Sequence, residues 1–241
     1  MKALVFAGAA AMLKTRAIAD EMMDSDDLDP LVYARVLSDL AMVNTVTMAR
    51  QPTLNFLKRV IQRFGPAPLK ILDVGYGDGD MLRKIAQWGI QQDITVRLVG
   101  IDLNPKSAAN ARAATPSNLE VDYRTGDYAT LKDEGFDVVI SSLVAHHMTP
   151  DQLTVFLRFM AAAAGKGWLI NDLHRNTFAY LGYPLLATLM RWHPIVRHDG
   201  QLSIARSYRL AEWPAILETA DIKGARVFRA FPFRLCVETI R

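Results

Sequence analysis

The stretch ILDVGYGDGD, residues 71–80, decides how the rest of the chain is read. An apolar run that breaks into Gly75, Gly77 and Gly79 marks a strand entering a tight turn, where bare backbone approaches a ligand. Turns of this kind usually point amides and a helix N-terminus at a phosphate, with G-x-G-x-x-G spacing. Here the spacing differs, and Asp73, Asp78 and Asp80 surround the glycines with carboxylates that would repel a pyrophosphate. The ligand this loop suits is cationic beside it, which disfavours a dinucleotide cofactor and an oxidoreductase reading.

Working outward from the loop, β-branched runs at 69–74, 96–101, 119–123, 136–141 and 167–171 read as strands. Helical patterns fall between them at 79–90, 105–114 and 150–164, the last opened by Thr149 and Pro150 as cap and first helical residue. Strand, helix, strand in repetition predicts an α/β fold with a parallel sheet covered on both faces. The terminal GARVFRAFPFRLCVETI holds two strands joined too tightly for a helical crossover, so the final strand is expected to run antiparallel. Residues 12–65 have helical periodicity, with KTRAIADEMMD continuing it from the start of the chain. Residues 173–208 form a long apolar insertion after the fifth strand, placed to roof a site at the carboxyl ends of the strands.

S-adenosylmethionine meets the demand of the loop, because its sulfonium and ammonium are positive and it carries no phosphate. The sequence resembles the class I S-adenosylmethionine-dependent methyltransferases over residues 68–172 and the terminal hairpin, and, more loosely, through EMMDSDDLDP and RHDGQLSIARSY, bacterial small-molecule enzymes that tailor polyketides and quinones. Asp73, Gly75, Gly77 and Gly79, with Tyr76 among them, match the family's D-x-G-x-G-x-G motif. The resemblance implies that Asp102, followed by Leu103, takes the ribose hydroxyls, and that Gly126, Asp127 and Tyr128 meet the adenine. It places Ser141 and Ser142 along the methionine end. It also implies a Rossmann-like, mostly parallel seven-stranded sheet with its last strand antiparallel. Residues 1–65 would be a helical extension packed on a methyltransferase domain, 66–241, that carries a helical lid at 173–208. Read from the residues alone, Asp73 is also a strand-end acid capping the next helix, Asp102 an Asx turn before Asn104 and Pro105, and Asp127 a turn or cap residue.

The chemistry expected beyond the cofactor rests on LVAHHM and NDLHR, which put His146, His147 and Asp172 just past two neighbouring strands. Histidine takes a proton near neutral pH, and a carboxylate fixes its tautomer. The set is similar to that of small-molecule O-methyltransferases with LHHM after the fourth strand and Asp after the fifth. Side chains alternate in extended chain, so one histidine of the pair is expected to face the acceptor. The pair also reads as a cap of the following helix, and His174 and Arg175 as exposed loop residues. His198 and Asp199 before a Gly turn are a weaker roof contact. Asn44 and Arg50 are candidates to close over the methionine carboxylate, with a solvated helix face as the other reading of Arg50.

Phe178, Tyr180, Tyr183, Leu185, Leu186, Leu189, Met190 and Trp192 make the insertion greasy, which implies an apolar aromatic or polyketide-like acceptor. A second copy of the chain, forming a homodimer, is the competing cover for them. The leading expectation is methylation of a phenolic oxygen; C-methylation of a quinol-type ring and a non-catalytic cofactor-binding partner subunit are the alternatives. No metal is expected, since H-x-x-x-H and dedicated carboxylate clusters are missing. A net charge of +3 with scattered basic residues argues against nucleic acid. The single cysteine, Cys236, fits a reducing compartment, and the cytoplasm is expected although MKALVFAGAAAML has features of a signal peptide. No apolar run is long enough for a spanning helix.

Overall fold

The computed structural model describes residues 2–25 and 27–241; Met1 of the leader-like start and Asp26 lie outside the described residues. Three helices, α1 (Lys2–Met12), α2 (Pro30–Val46) and α3 (Gln51–Phe64), precede β1 (Leu69–Val74). There follow α4 (Asp80–Gln92), β2 (Val96–Asp102), α5 (Pro105–Ala114), β3 (Asp122–Thr125), β4 (Phe136–Ser142), α6 (Pro150–Ala163) and β5 (Ala164–Leu173). The chain ends with α7 (Thr177–Leu189), α8 (Pro194–Arg206), α9 (Trp213–Thr219), β6 (Arg226–Ala230) and β7 (Arg234–Ile240).

The strands form one seven-stranded sheet in the order β3-β2-β1-β4-β5-β7-β6. All neighbours are parallel except β7, which runs antiparallel to both β5 and β6. The order reverses between β1 and β4, so a crevice opens at their carboxyl ends, where ligands of such sheets bind. Near-continuous apolar runs in β1 and β4 follow from burial on both faces. On one face α3, α4 and α5 pack through Phe56, Leu57, Leu82, Ile85 and Ala111. On the other, α6 and α9 pack through Phe156, Met160 and Trp213 against Trp168. Local signals position these helices: Thr149 and Gln152 form a reciprocal capping box at α6, and Asn104 caps α5 before Pro105.

Two sequence expectations shift at strand edges. The third strand begins at Asp122, not Leu119, because Leu119 is buried among α4 and α5 side chains and does not join the ladder. The fifth extends back to Ala164, directly from the end of α6.

The larger correction is at residues 13–29. KTRAIADEMMD does not continue a helix; after α1 the chain runs largely extended across α8, apart from a short turn of helix at Met22–Asp24. Docking outweighs helix propensity here. Ala17 N donates to Ala205 O at 3.1 Å, and Arg16 donates to Arg206 O at 2.6 Å, His146 O at 3.0 Å and Met148 O at 3.2 Å. α2 then packs on α7 and α8 through Val36, Ala187, Trp192, Ile195 and Val196. Among the described residues, no helix is long and apolar enough to cross a membrane.

Candidate active site

At the end of β1 the backbone turns through Gly75, Gly77 and Gly79 with φ of 75°, 56° and 78°. A Cβ at Gly75 would lie 2.4 Å from Val144 Cγ2, and one at Gly79 2.4 Å from the Tyr123 hydroxyl, so space as well as conformation demands glycine at both. Gly77 N donates to Asp102 Oδ2 at 2.9 Å, fastening the turn to the end of β2. Asp102 Oδ1 accepts from Asn104 N at 2.8 Å, which is the Asx turn. Each carboxylate oxygen has a second lone pair to offer. The turn and a ligand role are therefore compatible.

Asp73 is buried, makes no side-chain hydrogen bond among the described residues, and leaves Oδ1 without a partner. It does not cap α4, whose N-cap is Gly79; the amide of Asp80 at the helix start donates to Asp78 Oδ1 at 3.1 Å. Burial, reinforced by Asp102 and Asp80, holds the Asp73 pKa well above the carboxylate range. Ser142 Oγ is likewise buried and unpartnered, whereas Ser141 Oγ donates to Val74 O at 2.9 Å. Gly126 and Tyr128 line the cavity described next, and Leu103 sits on its rim, 73% exposed. Asp127 is exposed, accepts from Ala129 N at 2.9 Å as a cap, and is not among the lining residues.

A cavity of about 770 Å³ runs from this turn to the histidine pair. Its far wall and roof come from α2 (Tyr33, Leu37, Leu40, Val43), α7 (Phe178, Tyr183, Leu186) and α8 (Ser203, Ile204). A side chamber of about 60 Å³ adjoins it, lined by Asp73, Arg50 and Asp80 and sharing Asn44, Ser142 and Arg234 with the main cavity. Arg50 is not a solvated helix residue. Its guanidinium is bonded twice to Asp80, at 2.6 and 2.7 Å.

The histidines do not alternate, because Ala145–His147 forms a 3-10 turn instead of extended chain. Both rings line the cavity, with centroids 4.2 Å apart. His146 is buried, with Nδ1 2.7 Å from Asp172 Oδ1 and Nε2 3.6 Å from Glu21 Oε1. Asp172 Oδ2 also accepts from His146 N at 2.8 Å. Burial opposes a charge on His146, yet Asp172 and Glu21 outweigh it and raise the pKa to about 9. His147 is opposite in character. Burial and the charge on His146 lower its pKa to about 4, although Glu21 Oε1 stands 3.8 Å from Nε2. The pair thus consists of an imidazolium and a neutral imidazole at neutral pH.

Glu21 was not legible as a site residue; it comes from the extended segment, accepts from Ser203 Oγ at 2.7 Å and lies 3.7 Å from Arg206 Nη1. Burial favours its protonated form, but His146 and His147 hold its pKa below the usual range. Glu21, His146 and His147 offer ligand atoms within 4.8 Å of one another. The adjacent Arg206 and the second carboxylate on His146 suit shared protons better than a divalent cation. Arg234 was missed as well, although a lone arginine opening the apolar RLCVETI strand is a signal.

Other candidates are spent on structure. His174 and Arg175 are buried, not exposed, since Arg175 ties Leu13 O, Ser207 O and Glu212 together. Asp199 accepts from Met22 N and Met23 N, both at 2.9 Å, so it anchors the extended segment; neither it nor exposed His198 lines the cavity. HDGQ lies inside α8 and not in a turn, with Gly200 packed under the Tyr183 ring. The apolar residues of the insertion divide: Leu185 and Leu189 face outward, and Trp192 packs against α2.

An unpaired buried acid, an unpaired Ser142 hydroxyl and close-packed glycine backbone fit the positive, phosphate-free methionyl end of S-adenosylmethionine. Residues 71–176 match the sequence profile of the family described as "Methyltransferase domain". Comparison with curated proteins finds no match. Among solved structures, the fold is similar to the plantazolicin methyltransferase BpumL with a pentazolic desmethyl analogue and S-adenosylhomocysteine (TM-score 0.67, 15% identity, 98% of each chain covered). It is also similar to magnesium protoporphyrin IX methyltransferase (ChlM) from Synechocystis PCC 6803 with the same product bound (TM-score 0.54, 17% identity, 91% of this chain and 90% of that one). The domain of the citrinin polyketide synthase named CMeT is similar over 79% of this chain and 52% of that one (TM-score 0.57, 13% identity). The domain match begins inside β1 and ends just past Asp172, so these residues are similar to a methyltransferase domain, on a fold shared along the whole chain with an enzyme that holds S-adenosylhomocysteine.

Proposed function

We propose that this enzyme methylates a small, largely apolar aromatic or polyketide-like acceptor at a phenolic oxygen, with His147 as the general base. The observation that carries the reading is that a neutral His147 lines the same cavity as the glycine turn, under an apolar wall from α2 and α7. Residues 173–208 and the N-terminal 1–65 act in this reading as a cap on the 66–241 core. The acceptors named for two similar structures, desmethylplantazolicin analogues and magnesium protoporphyrin IX, support a small-molecule acceptor.

Asp73, the glycine turn, Asp102 and Ser142 would hold the cofactor, which supplies an electrophilic methyl on a sulfonium. The chain's own part is positioning and proton removal. A phenol of pKa ~10 is mostly protonated at neutral pH, so its proton must leave as the oxygen attacks. His146 is unsuited to take it, because carboxylates flank both of its nitrogens and keep it charged. A neutral His147 can accept it, and the imidazolium formed there would be stabilised by Glu21. Asp172 and His146 then serve to fix the turn that presents His147. The test is incubation with methyl-labelled cofactor and a panel of phenols, quinols and polyketides, followed by locating the label. A methyl ether is expected; label on ring carbon would overturn the oxygen assignment.

A further inference from the structure

Arg234, the first residue of β7, is 3% exposed, and its side chain makes no hydrogen bond or ion pair among the described residues. It sits where the main cavity meets the side chamber and lines both. A guanidinium taken out of water without a counter-charge is costly, and such groups persist where a ligand supplies the missing partner. Arg50, on the same chamber, shows the contrast, since Asp80 satisfies it through two bonds. Arg234 has the planar fork that receives a carboxylate in two parallel bonds.

Its surroundings indicate which carboxylate. Arg234 pairs in register with Leu173 across β5, one residue from Asp172, and Pro232 and Phe233 beside it line the main cavity, as Phe178 does. Burial lowers the Arg234 pKa, and the negative charge that chiefly opposes this is Asp172, with Cys236 after it. The register with Leu173 and the Pro232 and Phe233 lining put the residue beside the acceptor's half of the cavity. We propose that Arg234 is the receptor for a carboxylate on the acceptor, so that the substrate class is an apolar aromatic acid and not a neutral phenol. This rests on the methyltransferase reading of the cavity but not on the atom that is methylated.

The test is binding and needs no turnover. The full-length protein, saturated with S-adenosylhomocysteine, is titrated by calorimetry with 4-phenylbenzoate and with its uncharged relative 4-phenylbenzamide. The unaltered protein is expected to prefer the acid by about tenfold or more, a margin typical of charge-assisted hydrogen bonds. Arg234→Met is expected to erase that preference, leave affinity for S-adenosylhomocysteine within about twofold, and raise the melting temperature of the ligand-free protein by removing an unpaired buried charge. Arg234→Lys keeps the charge without the fork and should retain part of the preference, which guards against misfolding of the methionine variant. Loss of S-adenosylhomocysteine affinity in Arg234→Met, with the acid preference intact, would assign the residue to the cofactor's carboxylate and overturn the proposal. No preference for the acid in the unaltered protein would overturn it too. If that protein fails to bind S-adenosylhomocysteine at all, the cofactor reading falls instead.

Discussion

The two ends of the cavity solve the same problem differently. At the glycine end, contiguous backbone does the work, and the acid at its centre, Asp73, is left without a partner. At the histidine end, side chains from four distant segments meet, and Glu21, His146 and Asp172 form a row in which a histidine lies between two carboxylates. In the proposed reading, the unpartnered acid is what a cationic ligand would meet, while the carboxylates around His146 hold the turn that presents His147.

The strongest way to break this comparison is at His147. His147→Ala is expected to lower turnover on a phenolic acceptor ~10²- to 10⁴-fold while calorimetry finds S-adenosylhomocysteine affinity unchanged. Near-normal turnover would mean that positioning alone suffices and both histidines are structural. At the opposite end, Asp102→Ala should weaken S-adenosylhomocysteine binding ~10-fold or more by loss of a charged acceptor, and should leave the His146 proton resonances in place. Unchanged affinity would remove Asp102 from the site.

A third test uses pH. The folded pKa of His146, about 9, lies above its unfolded value of ~6.5, so its contribution to stability is complete below ~6.5 and is lost as pH rises through about 9. The melting temperature should fall across that window, and His146→Gln should flatten the slope. An identical slope in the variant would place the titration elsewhere. The smallest effect sharpens the account of Asp73. Burial keeps it protonated more readily than an ordinary carboxyl, and a cationic ligand beside it favours the ionised form, so binding S-adenosylmethionine should release a fraction of a proton. Binding heats measured in buffers of different ionisation enthalpy should differ accordingly; equal heats would show that Asp73 does not change protonation.

The same contrast explains what the sequence reveals. The glycine turn and its sheet are legible because their determinants are local: glycine spacing, apolar runs, and the Thr149 and Asn104 caps each act within a few residues. The pairing of His146 with Asp172 is legible too, because strand order brings the ends of β4 and β5 together. Glu21 is not, since nothing near EMMD announces that Asp199 and Ser203 of α8 will hold it at the histidines. Helical periodicity misleads at residues 13–21 because the bonds of Arg16 and Ala17 to the 205–208 region replace those of a helix. Asp127 carries a recognisable signal but faces solvent as a cap, a distinction that only the packing of the loop decides.

The extended segment also sets an order of events during synthesis. Arg16 is translated 190 residues before Arg206, whose carbonyl it grips, a delay of about 10–40 s at ~5–20 residues per second. Through that interval Glu21 has no Ser203 or Arg206 to dock on, although β1 and β2 can already form the glycine turn. A nascent chain halted before residue 203 would thus hold Glu21 undocked. In the proposed reading, proton removal would wait until α8 has captured the segment that carries Glu21.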